Sequence, residues 1–132
     1  MTRTNNLLLA LCCLALVAGC SRAEGAPLAA PAKKVQSGRV ARIGFIDLER
    51  CCACTRTRID AAWKVLTEVL GAKPAIPVER VHLDTQAAKA APYRAKKELM
   101  FPPAIYFLDG KGGLVEMMQG EVTAAQIRKV LK

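Results

Sequence analysis

Three cysteines occupy four consecutive positions, Cys51-Cys52-Ala53-Cys54, where a short apolar run hands over to a pattern of helical period. Cysteines that staple a small fold are spread apart so that their bridges close long loops. Thiols crowded this tightly close almost nothing, so the cluster points to chemistry. It also constrains the fold, because the chain around it has to supply a strand that runs directly into a helix. Whether the thiols can pair depends on compartment, since disulfides persist outside the cytoplasm and are rare within it.

The N-terminus bears on that compartment. Arg3 is the only charged residue among the first 20, and an apolar stretch runs from Leu7 to Ala18 before Val17-Ala18-Gly19-Cys20. A positive start, a short apolar run and a small-residue exit describe a secretory leader. A membrane-spanning helix needs about 20 apolar residues, more than this run supplies. Val-Ala-Gly-Cys resembles the lipobox of bacterial lipoproteins, which implies lipidation of Cys20 as the first mature residue. Cys12 and Cys13 are then lost with the leader. Ser21, where that pattern keeps Asp for inner-membrane retention, favours a periplasm-facing anchor in the outer membrane. Residues 1–19 are read as the leader and 20–40, rich in Ala, Pro, Gly, Ser and Lys, as a lipid-anchored flexible tether. Residues 41–132 form one domain with enough Ile, Leu, Val and Phe for a modest core.

The charge is strongly basic, 20 Lys and Arg against 11 Asp and Glu for a net +9 at pH 7. Such a surface suits anionic headgroups or acidic partners. The aromatic and basic residues do not interleave as in single-stranded nucleic-acid binders, so no nucleic-acid partner is expected. The plain reading is a solvated basic surface on a monomer.

Along the domain the pattern alternates. Arg42 to Leu48 suits a buried strand. From Thr55 to Leu70 the residues Ile59, Ala62, Trp63, Leu66, Val69 and Leu70 recur at helical spacing, and Gly71 and Pro74 stop the helix. Val78 to Leu83 predicts a second strand, closing on Asp84. Gln86 to Leu99 reads as helical, with Pro92 beginning or breaking a helix. Ala104 to Leu108 and Leu114 to Gln119 predict two strands joined by the turn cluster Asp109-Gly110-Lys111-Gly112-Gly113. Val122 to Leu131 closes the chain as an amphipathic helix that buries Ile127, Val130 and Leu131. One of Met117 and Met118 is expected inside. The order strand, helix, strand, helix, strand, strand, helix is an α/β sheet layered with helices.

A strand running into Cys-x-x-Cys at the start of a helix, with a later proline-led strand and a Gly-turned hairpin, resembles thioredoxin. The segment Pro103-Ala104-Ile105-Tyr106-Phe107-Leu108-Asp109-Gly110 is similar to the stretch after the cis-proline of periplasmic thioredoxin-like domains. The resemblance covers the chain from Ile43 onward. It implies a thioredoxin-like α/β fold, a central mixed sheet of about four strands flanked by helices and trimmed at the N-terminus. It implies thiol–disulfide oxidoreductase activity toward protein thiols and disulfides of the cell envelope, with no cofactor. Cys51 would attack and Cys54 resolve. Arg50 and Arg56 would add positive potential, and Pro103, with Pro102 as the neighbouring register, would hold the substrate chain.

The chain departs from the pattern at several points. Arg50 stands where thioredoxins carry tryptophan, and Cys52-Ala53 replace the usual Gly-Pro. The buried acid of the family falls on Phe45, the helix proline on Ile59, and Asp47, on the face of Phe45, offers a substitute base. Cys52 is either a solvent-facing spectator or a competitor for disulfide formation. A copper- or zinc-binding module using Cys51, Cys52, Cys54 and the single His82 is the alternative from a different class. A thioredoxin-fold binding module without turnover is a third. His82 itself reads as an ordinary half-buried histidine, Trp63 as core, Arg94 to Lys97 as a solvated helix face, and Thr55 to Arg58 as a basic edge.

Overall fold

The computed structural model describes residues 38–132. The predicted leader, the lipidation site Cys20 and nearly all of the predicted tether lie outside the described residues. Seven elements follow in the expected order: β1 (Val40–Asp47), α1 (Ala53–Leu70), β2 (Val78–His82), α2 (Ala87–Arg94), β3 (Ala104–Asp109), β4 (Leu114–Gln119) and α3 (Ala124–Val130). The strands form one mixed sheet in the order β2-β1-β3-β4. β1 pairs with β2 in parallel, with Phe45 opposite Arg80 and Asp47 opposite His82. β1–β3 and β3–β4 are antiparallel.

β1 lies second in the sheet, and its last five residues are buried without interruption. A strand covered on both faces has no polar side to show, which is why Ile43 to Ile46 read as continuously apolar. Alternation sends Ile43 and Phe45 to one face, where they meet Ile59, Ala62 and Leu66 of α1, Ile105 and Phe107 of β3, and Ile127 of α3. Ile46 faces the other way with Val81, Tyr106, Leu108 and Met117, under Ala90 and Tyr93 of α2. Two helices therefore cover one face and a single short helix the other.

The helix boundaries differ from the sequence expectation in all three helices, with α3 running Ala124–Val130 inside the expected Val122 to Leu131. α1 starts at Ala53, two residues ahead of Thr55, so Cys54 lies within its first turn and Cys52 becomes its N-cap. α2 ends at Arg94 and does not reach Leu99. Pro92 sits inside α2 and lacks the N–H that would bond to the carbonyl of Ala88, so the helix continues only two residues past it. The following amides fold back as turns, with Lys96 N donating to Tyr93 O at 3.0 Å. α3 is fixed at its start by a capping box, in which Thr123 Oγ1 accepts from Gln126 N and the Gln126 side chain accepts from Thr123 N. Ile127 is buried as expected, while Val130 and Leu131 pack against the core half-exposed. Met117 is the buried methionine of its pair.

Tyr93 anchors α2 to the sheet. Its ring lies over β1 at Gly44, where an added Cβ would fall 2.1 Å from Tyr93 Cε1. Its hydroxyl donates to Glu79 Oε2 at 2.6 Å. Burial, reinforced by that carboxylate, pushes the Tyr93 phenol up to about 12, so it stays a hydrogen-bond donor across the whole working range of pH. Gly44→Ala is expected to destabilise the fold by about 1–3 kcal/mol, the cost of forcing a methyl into filled space. Gly110→Ala, whose new Cβ meets only Ala41 Cβ at 4.0 Å, should stay within about 0.5 kcal/mol of wild type. Urea unfolding followed by circular dichroism measures both.

Candidate functional site

Parallel strands β1 and β2 end at the same edge of the sheet, and the loops leaving that edge are where α/β folds gather their chemistry. The loop after β1 carries Leu48 to Cys52, and the turn after β2 carries Asp84. The Asp84 carboxylate reaches across and accepts from Glu49 N at 2.9 Å and Arg50 N at 2.8 Å. From the other side the Arg56 guanidinium, one turn into α1, donates to the Glu49 carbonyl. The loop that delivers the cysteines is thus clamped at its amides by an acid and at a carbonyl by a base. Arg56 serves this clamp, whereas Arg50 and Arg58 project into solvent.

Beneath the loop lies a charged group with no exposure. Asp47, the last residue of β1, is fully buried. It accepts from Arg80 Nε at 2.8 Å and lies 2.6 Å from an Arg80 terminal nitrogen. His82 Nδ1 lies 2.5 Å from the second carboxylate oxygen. When the Asp47 carboxylate is ionised it can only accept, and the His82 tautomer that completes this contact is the one with its proton on Nδ1. The Arg80 guanidinium also stacks 4.8 Å from the Trp63 ring, which meets Phe45 edge-on at 5.0 Å. Strand register, cation–π packing and ion pairing converge here on one buried oxygen pair.

The three cysteines among the described residues are free, and they occupy different surroundings. Cys51, half-buried, packs against the core shared by β1, α1 and α3. Its Sγ lies 4.0 Å from the Leu48 carbonyl. Cys52 is the N-cap of α1, exposed and extended at φ −66 and ψ 161, and makes no side-chain capping hydrogen bond. Its Sγ lies 2.7 Å from Cys54 Sγ and 3.2 Å from Thr55 Oγ1. The Cys54 thiol, and then the Thr55 hydroxyl, draw the Cys52 thiol down from 9.0 to about 7. A helix N-terminus with no acid in its first turn adds favourable potential for a thiolate. The expectation that Cys51 would sit at the helix terminus is corrected by one residue: α1 starts at Ala53, so Cys52 is the N-cap and Cys51 the residue before it.

Of the other candidates, Pro103 is buried and the Pro102–Pro103 peptide bond is cis. Pro103 leads into β3, and its carbonyl accepts from Gly120 N at 2.8 Å. The metal alternative is not assembled. His82 is turned to Asp47, and no group of three or more His, Cys, Asp or Glu among the described residues is placed to hold an ion. Asp84 and Arg80 escaped the sequence reading. The signal for Asp84 was its place directly after the second parallel strand, beside the exit of the first.

The amides of Glu49 and then Arg50 hold the Asp84 carboxyl below its usual range. A depressed folded value gives stability that is present above the unfolded value, about 3.9, and is lost as pH falls through the folded one. The stability difference between wild type and Asp84→Asn should accordingly stay constant above about pH 5 and shrink below about pH 4. Urea midpoints measured across that range test this, and a difference that is flat through acid pH would rule the clamp out.

No protein-family profile and no curated protein matches the sequence. A solved structure described as a candidate oxidoreductase with a thioredoxin fold is similar at a TM-score of 0.48 and 11% identity, over 69% of this chain and 79% of its own. The chain's own architecture, a mixed sheet ordered β2-β1-β3-β4 with α1 and α3 on one face and α2 on the other, is a thioredoxin-like α/β fold.

Proposed function

We propose that this chain is an extracytoplasmic thiol–disulfide oxidoreductase, held to the outer membrane through lipid on Cys20 and exchanging disulfides with proteins of the cell envelope. The observation that carries this reading is the gathering of three free cysteines around the N-terminus of α1, where the loop entering the helix is clamped by Asp84 and Arg56. Disulfide exchange needs a thiolate that can reach a partner sulfur and a second thiol that can displace the mixed disulfide. An exposed helix terminus favours the first, and the spacing of the cluster supplies the second. The resemblance to thioredoxin implies Cys51 and Cys54 as the working pair. Pro103, with Pro102 before it, would offer backbone to an extended substrate, and Arg50 would add positive potential.

A redox titration tests the reading. The full chain is equilibrated across thiol–disulfide buffers, alkylated and mapped by mass spectrometry, with metal content measured on the same sample. A reversible two-electron couple that includes Cys54, in metal-free protein, is the expected result. Thiols protected by bound copper or zinc with no reversible bridge would instead make the chain a metal carrier. Cysteines that neither bridge nor hold metal would leave a binding module.

A further inference from the structure

The thioredoxin spacing pairs Cys51 with Cys54, but the atoms group differently. Cys54 Sγ meets Cys52 Sγ at 2.7 Å, while Cys51 turns back toward Leu48 and the core. Resting on the oxidoreductase reading, we propose that the pair exchanging with substrate is Cys52 and Cys54, with Cys52 the attacking thiolate and Cys51 an internal packing thiol. The exchange pair is then Cys-x-Cys, displaced by one residue from the family spacing.

Three observations meet in this assignment. The first is access. An incoming disulfide must approach along the line of the attacked sulfur–sulfur bond, and Cys52 and Cys54 are exposed where Cys51 is not. The second is position. Cys52 is the N-cap, so a sulfur anion there faces the unpaired amides of the first turn, and Thr55 Oγ1 stands 3.2 Å away as a further donor. The third is ring size. Adjacent cysteines bridge only with strain, which excludes Cys51 as the partner of Cys52 and leaves Cys54. A thiol ionising near ambient pH also combines a substantial thiolate fraction with retained nucleophilicity, and the environment of Cys52 places it there, at about 7.

The steps balance on the two thiols alone. Cys52 thiolate, its proton already released to solvent, attacks a protein disulfide R–S–S–R′. A Cys52–S–S–R bond forms, and R′–S⁻ leaves and takes up a proton. Cys54 then gives up its proton and attacks Cys52 Sγ. This forms the Cys52–Cys54 bridge and expels R–S⁻, which is protonated in turn. Two electrons pass from the chain to the substrate, and the reverse sequence oxidises a substrate dithiol.

The test uses the full chain as wild type and as Cys51→Ala, Cys52→Ser and Cys54→Ser, with glutathione disulfide as the probe. Serine is itself a good N-cap, and circular dichroism confirms that each variant is folded. Cys51→Ala should keep the reversible couple, with alkylation of Cys52 half-maximal near pH 7. Cys52→Ser should lose the couple, and Cys54→Ser should trap glutathione on Cys52. A couple that survives in Cys52→Ser and vanishes in Cys51→Ala would overturn the proposal while leaving the oxidoreductase reading standing. The absence of any reversible couple in wild type would overturn both.

Discussion

A carboxylate with no solvent exposure needs a partner on each oxygen, and Asp47 meets that demand with residues of a single neighbouring strand. Arg80 and His82 both come from β2, two residues apart on the face that looks toward α1. Removing either partner would strand charge in a low dielectric, which costs several kcal/mol. The pairing therefore admits one register of the parallel strands and no other. Because Arg80 also stacks on Trp63, the same ion pair sets where α1 lies on the sheet. The exit of β1, the exit of β2 and the axis of α1 are all defined by one buried acid.

The cysteines inherit that definition. The loop from Leu48 to Cys52 is only a few residues long, and its ends are held by β1 and α1. Asp84 and Arg56 remove what freedom remains, taking two amides and a carbonyl that would otherwise turn to water. A reactive sulfur must be fixed to within fractions of an ångström and also exposed to a partner. This loop reconciles the two demands by anchoring backbone and leaving the Cys52 and Cys54 side chains outward.

Periodicity made the frame legible. Ile59, Ala62 and Leu66 are spaced for one helical face and are the buried residues of α1; the turn cluster at Asp109 to Gly113 joins β3 to β4 where expected. Periodicity cannot locate a helix end, because the first turn carries no obligatory apolar residue. The start of α1 at Ala53 decides which of three neighbouring cysteines becomes the N-cap, and no pattern in the chain marked it. Pairings across space were equally hidden. Asp84 lies 35 residues from Glu49 in the chain, and nothing local to either residue announces their contact. The side chain of Asp47 was assigned to the face of Phe45 by alternation alone, yet its partners emerged only with the strand register.

The two faces of the sheet are unequally thick, and this has a consequence for how the molecule opens. Beneath α2 the contact rests on Ala90 and the Tyr93 ring, in a helix of eight residues interrupted by Pro92. Opposite, α1 extends for 18 residues and shares its core with α3. Local opening follows the least-buried element, so backbone amides of α2 should exchange with solvent through fluctuations that leave α1 closed. Such an excursion would bare Tyr106 and the back of β1, while the groups that hold the cysteine loop, Arg56 of α1 and Asp84 in the turn before Gln86, lie outside α2 itself. The fold in this way separates the part that can breathe from the part that must hold still.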